Sequence, residues 1–501
     1  MRLLIYREVH VQKINLLTLA YIFILLCITI PSAHAVTFKI EPSLLLEGTY
    51  KYNEKRPSVP ASQEFISRVS PAISISETSA RTNSSLDYAL HKKTNFSQNI
   101  DNLDHEAHAI GNLALIKNYV NISAIGNYEQ RPDSVDQILL IDDSIQLQDT
   151  ANFASAYIKG EILNHSKQFF DANMKYTHNI SKSDSKIFSN TSSHKLVSSI
   201  KEGKNFHRFG WGADASYEEL KEANRNLKKI AEVTGNISYL AQRQSGIRLT
   251  FGYESNPQYQ QINPNVKRKG RIALVSAFWR SPKNLNAEIM AGNRAFGKTY
   301  QIKSNWQTPL TTLSASYGKS INGNNLAISI QQDIRQATLR FQYNETLSEY
   351  SYVNFIQSSP EESISDNLSS SPPPLLPTVQ PGTFYVRRAS SGITLHGTKN
   401  TLTFNADYET KDYTEIGTDA KIYNAEAIWQ RNLNALANTY LKVSAINAND
   451  NTLGAAGLYT SIKLEYEHQI KKYFLFSITA QRWQHKINTV NLLNFKVKSS
   501  Y

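Results

Sequence analysis

Cysteine is almost missing. The 501 residues contain one, Cys27, and it lies inside the N-terminal apolar run. A chain that loses this run has no disulfide and no thiolate chemistry. Long apolar runs are missing as well. Beyond residue 35 no stretch approaches the 18 or so consecutive apolar residues of a membrane-spanning helix, and mean hydropathy is -0.41. The longest candidate, Ile272 to Trp279, is far too short. That excludes a polytopic helical membrane protein. Local catalytic signatures are missing too: no H-E-x-x-H, no P-loop, no Rossmann glycine pattern, no G-x-S-x-G. His105 and His108 are three apart, which on a strand puts them on opposite faces and argues against a shared metal. No enzyme is expected and no cofactor is implied.

Acidic residues are in deficit. Lys and Arg number 54 against 42 Asp and Glu, a formal charge of +12. Aromatics are plentiful, with 27 Tyr and 20 Phe, enough apolar material to exclude a disordered chain.

The first 35 residues read as an address. Arg2, Arg7 and Lys13 form a basic start, Ile14 to Ile30 is apolar, and Pro31-Ser32-Ala33-His34-Ala35 ends in small residues. This pattern predicts a secretory signal peptide cleaved after Ala35. The alternative is an uncleaved anchor helix. Export makes nucleic acid an unsuitable partner. Lipopolysaccharide headgroups or an acidic polysaccharide suit the basic bias better, against the plainer reading of a scatter of solvated Lys and Arg.

Residues 36–501 alternate. Val36, Phe38, Ile40, Leu44, Leu46, Tyr50 and Tyr52 share one parity, and Lys39, Glu41, Ser43, Glu47, Thr49 and Lys51 the other. Phe209 to Tyr217, Ile247 to Tyr253, Leu402 to Tyr408 and Leu458 to Tyr466 repeat the pattern. A period of two is the strand signature. About 24 such strands can be counted. Many exceed the usual 5 to 6 residues of soluble strands and match tilted membrane strands. Short turns (Lys117-Asn118, Asn164 to Lys167, Gly203 to Asn205, Ser281 to Asn284, Lys399-Asn400, Lys471-Lys472) alternate with longer connections (53–64, 131–150, 181–192, 256–269, 349–383, 411–419, 448–456). Tyr50, Tyr52, Tyr217, Tyr253, Tyr408 and Tyr466 fall near strand ends, where aromatic girdles sit. The expected fold is all-β: one transmembrane antiparallel up-and-down barrel of about 20 to 24 strands over 36–501. The connection 349–383, with Ser369 to Pro374, Pro377 and Pro381, is expected to be a Ser/Pro-rich extracellular loop, with a plug or a polysaccharide contact as alternatives.

Parity then nominates a lumen. Arg208, Arg248, Arg340, Lys442, Lys463, Lys496 and Lys498 share faces with polar residues, as do Asp214, Asp407, Glu409 and Glu465. Phe495, Val497 and the terminal Tyr501 share the opposite face of the last strand. They resemble the assembly signal read by the barrel-assembly machinery. A hydrolase with a Ser–His pair assembled across strands is the enzymatic alternative.

One hairpin pair is distinctive. Phe278-Trp279-Arg280-Ser281-Pro282 is followed by Ala291-Gly292-Asn293-Arg294-Ala295-Phe296-Gly297-Lys298-Thr299-Tyr300 and by Ser314 to Tyr317. Physically, Ser281 to Asn284 is turn chemistry, Gly297 suits a positive φ, and Arg294 is placed to meet a carboxylate in the lumen. With Ile40 to Leu44, Asn112 to Gln130 and Phe384 to Ala389, this segment resembles the PEP-CTERM (exosortase) system-associated outer-membrane β-barrel family. The sequence departs from that pattern at Tyr52 to Lys55 and at Ala295 before Phe296. The resemblance implies a Gram-negative outer-membrane protein linked to exosortase sorting and exopolysaccharide, with sorted proteins or extracellular polymer as partners. It supplies no catalytic residue. Two functions follow as expectations: a pore or export component, or an anchoring barrel closed by its loops.

Overall fold

The computed structural model describes residues 37–500 apart from 55–60, 133–149, 165–167, 185–189, 204, 207, 223–227, 243, 258–264, 282–283, 321–322, 351–381, 414–417, 451–454, 472 and 486–487. The signal segment, Tyr501 and most of the Ser/Pro-rich connection therefore lie outside the described residues.

The strands are β1 (Thr37–Asn53), β2 (Ser62–Thr78), β3 (Thr82–Asn95), β4 (Ile100–Ile116), β5 (Val120–Pro132), β6 (Thr150–Asn164), β7 (Phe170–Ser183) and β8 (Thr191–Glu202). They continue with β9 (Phe209–Glu222), β10 (Lys228–Gln242), β11 (Ser245–Ser255), β12 (Lys269–Arg280), β13 (Leu285–Arg294), β14 (Gly297–Gln307), β15 (Thr311–Ser320) and β16 (Gly323–Ile334). The last are β17 (Ala337–Tyr350), β18 (Gly382–His396), β19 (Asn400–Tyr413), β20 (Thr418–Asn432), β21 (Ala437–Asp450), β22 (Ala455–Lys471), β23 (Phe474–His485) and β24 (Asn488–Ser500). No helix occurs among the described residues.

Every strand pairs antiparallel with its sequence neighbour, from β1 on β2 to β23 on β24. The sheet then closes on itself. β24 runs antiparallel to β1, from Ser43 opposite Ser500 to Asn53 opposite Val490. The fold is a closed 24-stranded up-and-down barrel. Closure leaves no edge, so ladder donors and acceptors are satisfied without water.

The period of two sorts side chains to two faces. Phe38, Ile40, Leu44, Leu46 and Tyr50 on β1 are exposed, while Glu47 and Thr49 of the other parity are buried. The register joins like with like: Leu46 lies opposite Val69 and Val497, and Glu47 opposite Arg68 and Lys496. The same outer apolar set recurs at Val233 and Ile237, at Ile247, Leu249 and Phe251, at Ile393 and Phe404, and at Ile462 and Leu464. Such an exterior is the wrong surface for water and the right one for hydrocarbon.

The two rims differ. At the lower rim, where β1 begins, the connections are short: 79–81, 117–119, 335–336 and 397–399 are examples. The strand ends at the upper rim are separated by longer stretches of sequence, 17 residues between β5 and β6, 13 between β11 and β12 and 31 between β17 and β18. Two upper connections are shorter than the sequence suggests. β19 and β20 stay paired to Tyr413 and Thr418, and β21 and β22 to Asp450 and Ala455, so 411–419 and 448–456 are mostly strand. Ladder pairing continues for as long as register allows.

Candidate functional site

The inner wall is the candidate site. Arg248, Arg340, Lys442, Lys463, Lys496 and Lys498 carry the inward parity of their strands, as do Asp214, Asp407, Glu409 and Glu465. Arg208 does not sit within a strand. It lies in the lower-rim connection 203–208, before β9 starts at Phe209, where only its carbonyl extends the ladder by accepting from the Leu240 amide at 2.8 Å. The turn closed by Phe206 donating to the Gly203 carbonyl leaves no room for strand pairing there.

Opposite charges meet along the wall. Lys463 Nζ lies 3.0 Å from Glu465, Arg388 Nη2 3.5 Å from Asp407, and Lys442 pairs with Glu426. Lys411 and Glu409, both almost fully buried, are 3.2 Å apart. Arg248 pairs with Glu288 at 3.3 Å and also lies 5.2 Å from the centroid of the Phe278 ring. Arg280 stands 5.4 Å from the same centroid, so an inward-facing ring sits between two guanidinium groups. Arg340 is exposed, opposite Gln331 and Gly392. Lys463 and Lys411 meet carboxylates two residues away on their own strands, and Arg388 and Lys442 meet ones diagonally across a strand pair, positions that share a face.

Sequence reasoning missed the densest part of the wall. Around the closure of β1, β2, β3, β4 and β24, Glu47 approaches Arg68 and Lys496 at 3.7 Å each and accepts from the Asn494 side-chain amide. His91 Nδ1 meets Arg68 Nη2 at 3.0 Å, and Nε2 meets Glu106 at 3.0 Å. Because Arg only donates, this geometry puts the imidazole proton on Nε2. Lys93 lies 3.2 Å from Asp104, and Glu64 accepts from Asn95. The available signal was charge on one parity, at Lys39, Glu41, Glu47 and Lys51 on β1 and at Glu64 and Arg68 on β2. The partners, up to 449 residues away in the chain, were not readable.

The distinctive hairpin pair has a defined geometry. Ser281 donates its amide to Leu285 at 2.6 Å, Asn284 has φ 59, and Pro282 lies outside the described residues. At the other end of β13, Arg294, Ala295, Phe296 and Gly297 form the tip, with Gly297 at φ 117. Arg294 Nη1 donates to Glu254 at 2.9 Å and reaches Glu232 at 3.4 Å, and the Ala295 amide donates to Glu254 at 2.6 Å. The tip is thereby held against the inner wall over β11 and β10. Gly270 makes this approach feasible, since a Cβ there would stand 2.6 Å from Ala295 Cα. Gly292 also has no room for a side chain: a Cβ would stand 2.1 Å from the Ala273 carbonyl oxygen.

Phe495 and Val497 face outward on β24. His105 meets the Tyr88 hydroxyl outside, and His108 meets Asn127 inside. Among the described residues no cluster of His, Cys, Asp and Glu could hold a metal. The wall offers paired charges, amides and hydroxyls around a bore, an arrangement able to hydrate polar solutes.

No protein-family model and no curated protein matches the chain. Solved structures with a similar course include the siderophore receptor PirA from Pseudomonas aeruginosa, at 7% identity over 93% of this chain and 80% of that one, TM-score 0.45. The FrpB iron transporter from Neisseria meningitidis (F5-1 variant) matches at 8% identity, 92% and 82%, TM-score 0.46. OccAB2 from Acinetobacter baumannii matches at 8%, 92% and 98%, TM-score 0.36. At this distance neither ligand nor transport activity carries over from them.

Proposed function

We propose that the chain is a Gram-negative outer-membrane barrel, exported by a signal peptide cleaved near Ala35, whose bore conducts polar solutes or polymer across the membrane. The lower rim then faces the periplasm and the upper rim the exterior. One observation supports the reading above others: an apolar outside and a charge-balanced polar inside are wrapped around a bore that no described element fills. A round barrel of 24 strands spaced 4.8 Å apart and tilted about 40° is about 48 Å across at the backbone, ample for a chain of sugars. The finer part of the proposal is a role as pore or export component of a PEP-CTERM-type exopolysaccharide system, supported by the sequence resemblance around Phe278 to Tyr300.

The test is single-channel conductance of residues 36–501 in planar bilayers. Large stable steps, blocked by an acidic polysaccharide more than by neutral dextran, are the expected result. Insertion without steps replaces the pore by an anchoring barrel. A compact product that never inserts overturns the membrane reading.

A further inference from the structure

Eleven connections turn the chain at the lower rim, and none of them contains an Asp or a Glu. Their described residues include five cations: Arg81, Lys117, Arg208, Arg335 and Lys399. All five are exposed, and none forms an ion pair with a described carboxylate. In sequence the same connections add Lys167, Lys204, Arg243, Lys283 and Lys472, which lie outside the described residues. Between upper strand ends acidic residues are not excluded. The sequence from β5 to β6 carries Asp133, Asp136, Asp142, Asp143 and Asp149, and neither Lys nor Arg. Strand ends beside the lower connections carry both signs, with Glu77, Asp171, Glu202, Asp333 and Glu467 against Lys201, Arg280, Arg431, Lys471 and Lys498. Asp171 pairs with Lys201 at 3.4 Å, Glu77 accepts from the Thr82 hydroxyl at 3.1 Å, and Asp333 from that of Thr338 at 2.9 Å. The basic excess therefore belongs to the connections themselves.

Tight turns fix where these cations start from the backbone. The Ser79 amide donates to the Thr82 carbonyl at 2.8 Å, Tyr119 to Ile116 at 2.9 Å and Gly397 to Asn400 at 2.7 Å. Neighbouring hairpin tips are about 12 Å apart around the rim. Arg81 thus stands one hairpin from Lys117, and Arg335 one hairpin from Lys399. Cations on opposite sides of the mouth are several times farther apart than the screening length, about 8 Å in physiological salt. The rim therefore acts by contact along its circumference and not by a field at the centre of the bore. A small anion meets one such cation. A long polyanion lying along the rim meets several in turn.

We infer that the lower rim is the entry port for a carboxylate-bearing polysaccharide, captured from the periplasmic side before the chain enters the bore. Charge complementarity selects a polyanion: ammonium and guanidinium groups donate to carboxylate oxygens. Single cations on separate hairpins offer repeated, equivalent contacts and no one patch. That suits a repeating polymer better than one folded acidic surface. The wall above is ion-paired at Arg248, Lys442 and Lys463, so a chain released from the rim meets no continuous cationic track to trap it. The inference rests on the pore reading above, and adds to it the charge of the polymer and the side from which it enters.

The test is binding of polygalacturonate to the folded barrel in nanodiscs, with neutral dextran and poly-Glu of matched length as controls. The wild type is expected to bind polygalacturonate and not dextran, and to release it in high salt. Replacing Arg81, Lys117, Arg208, Arg335 and Lys399 together by Gln is expected to weaken binding about tenfold, at about 1.6-fold per exposed contact. Replacing Lys182, Lys298, Lys319 and Lys421, near the upper strand ends, is expected to leave it unchanged. Equal loss in both variants, or none in the lower one, overturns the port. Tighter capture of poly-Glu makes the partner an acidic protein and overturns the polymer. Heat-modifiable gel mobility reports folding of each variant separately. In planar bilayers polygalacturonate is expected to block from one compartment only, and the lower-rim variant to lose that asymmetry. Equal block from both compartments overturns the direction. Large steps without capture leave the pore standing and overturn the port. Capture by a barrel that gives no steps overturns the pore, and the rim is then no entry port.

Discussion

At the residue scale, exposure decides which ion pairs matter. Glu254 has a side chain 3% exposed and holds both Arg294 and the Ala295 amide. Lys39 and Glu41 are only 2.6 Å apart, yet both are largely exposed. Removing one partner of a buried pair strands a charge, and removing one of an exposed pair does not. Glu254→Ala is therefore expected to destabilise the barrel by about 3 kcal/mol. Glu41→Ala is expected to stay within about 0.5 kcal/mol. Urea titration in detergent micelles measures both. Glu254→Ala should also free the hairpin tip, so cleavage after Arg294 by external trypsin is expected to rise. Arg294 facing a carboxylate follows from its parity and the turn beside it. That the carboxylates are Glu254 and Glu232, on strands two and three places away, does not.

At the scale of the strand, alternation sets the cost of a charge. Val443 is exposed outward in the middle of β21, and Ser444 faces the bore. Val443→Arg is expected to cost about 2–4 kcal/mol when the barrel folds into vesicles, and Ser444→Arg little. Equal costs at both positions would mean that the barrel does not sit in lipid. Gly292 tests close approach instead. A side chain there meets the Ala273 carbonyl, so Gly292→Val is expected to break the β12–β13 ladder and leave most of the protein unfolded on a heat-modifiability gel. The strand pattern was legible because the pleat imposes its period locally. The extents of β19 to β22 were not, because pairing such as Asp412 with Asp419 prolongs a ladder through residues with no strand preference of their own.

At the scale of the whole barrel, balanced wall charge predicts weak ion selectivity. Lys442 with Glu426 and Lys463 with Glu465 cancel locally. Glu426→Gln leaves Lys442 without its carboxylate, so the reversal potential in a salt gradient is expected to move toward anions. An unchanged reversal potential would place that stretch of wall away from the conducting path.

The sequence by itself determined that the chain is all strand, about how many strands there are, and which parity carries charge. These are consequences of backbone geometry repeated at every second residue, and they need no knowledge of distant partners. Alternation in the sequence puts Arg248, Lys442, Lys463 and Lys496 on the parity opposite their apolar neighbours. Only the tertiary structure decided that β24 meets β1, so that Glu47 and Lys496 share one network across the closure. It alone decided that the alanines of β19 to β21 fall into register as a hollow. It also placed outward charges of both signs, such as Lys421 and Arg387 with Asp412 and Asp419, near the upper strand ends. Register and closure join residues far apart in the chain, and no local period encodes which of them will meet.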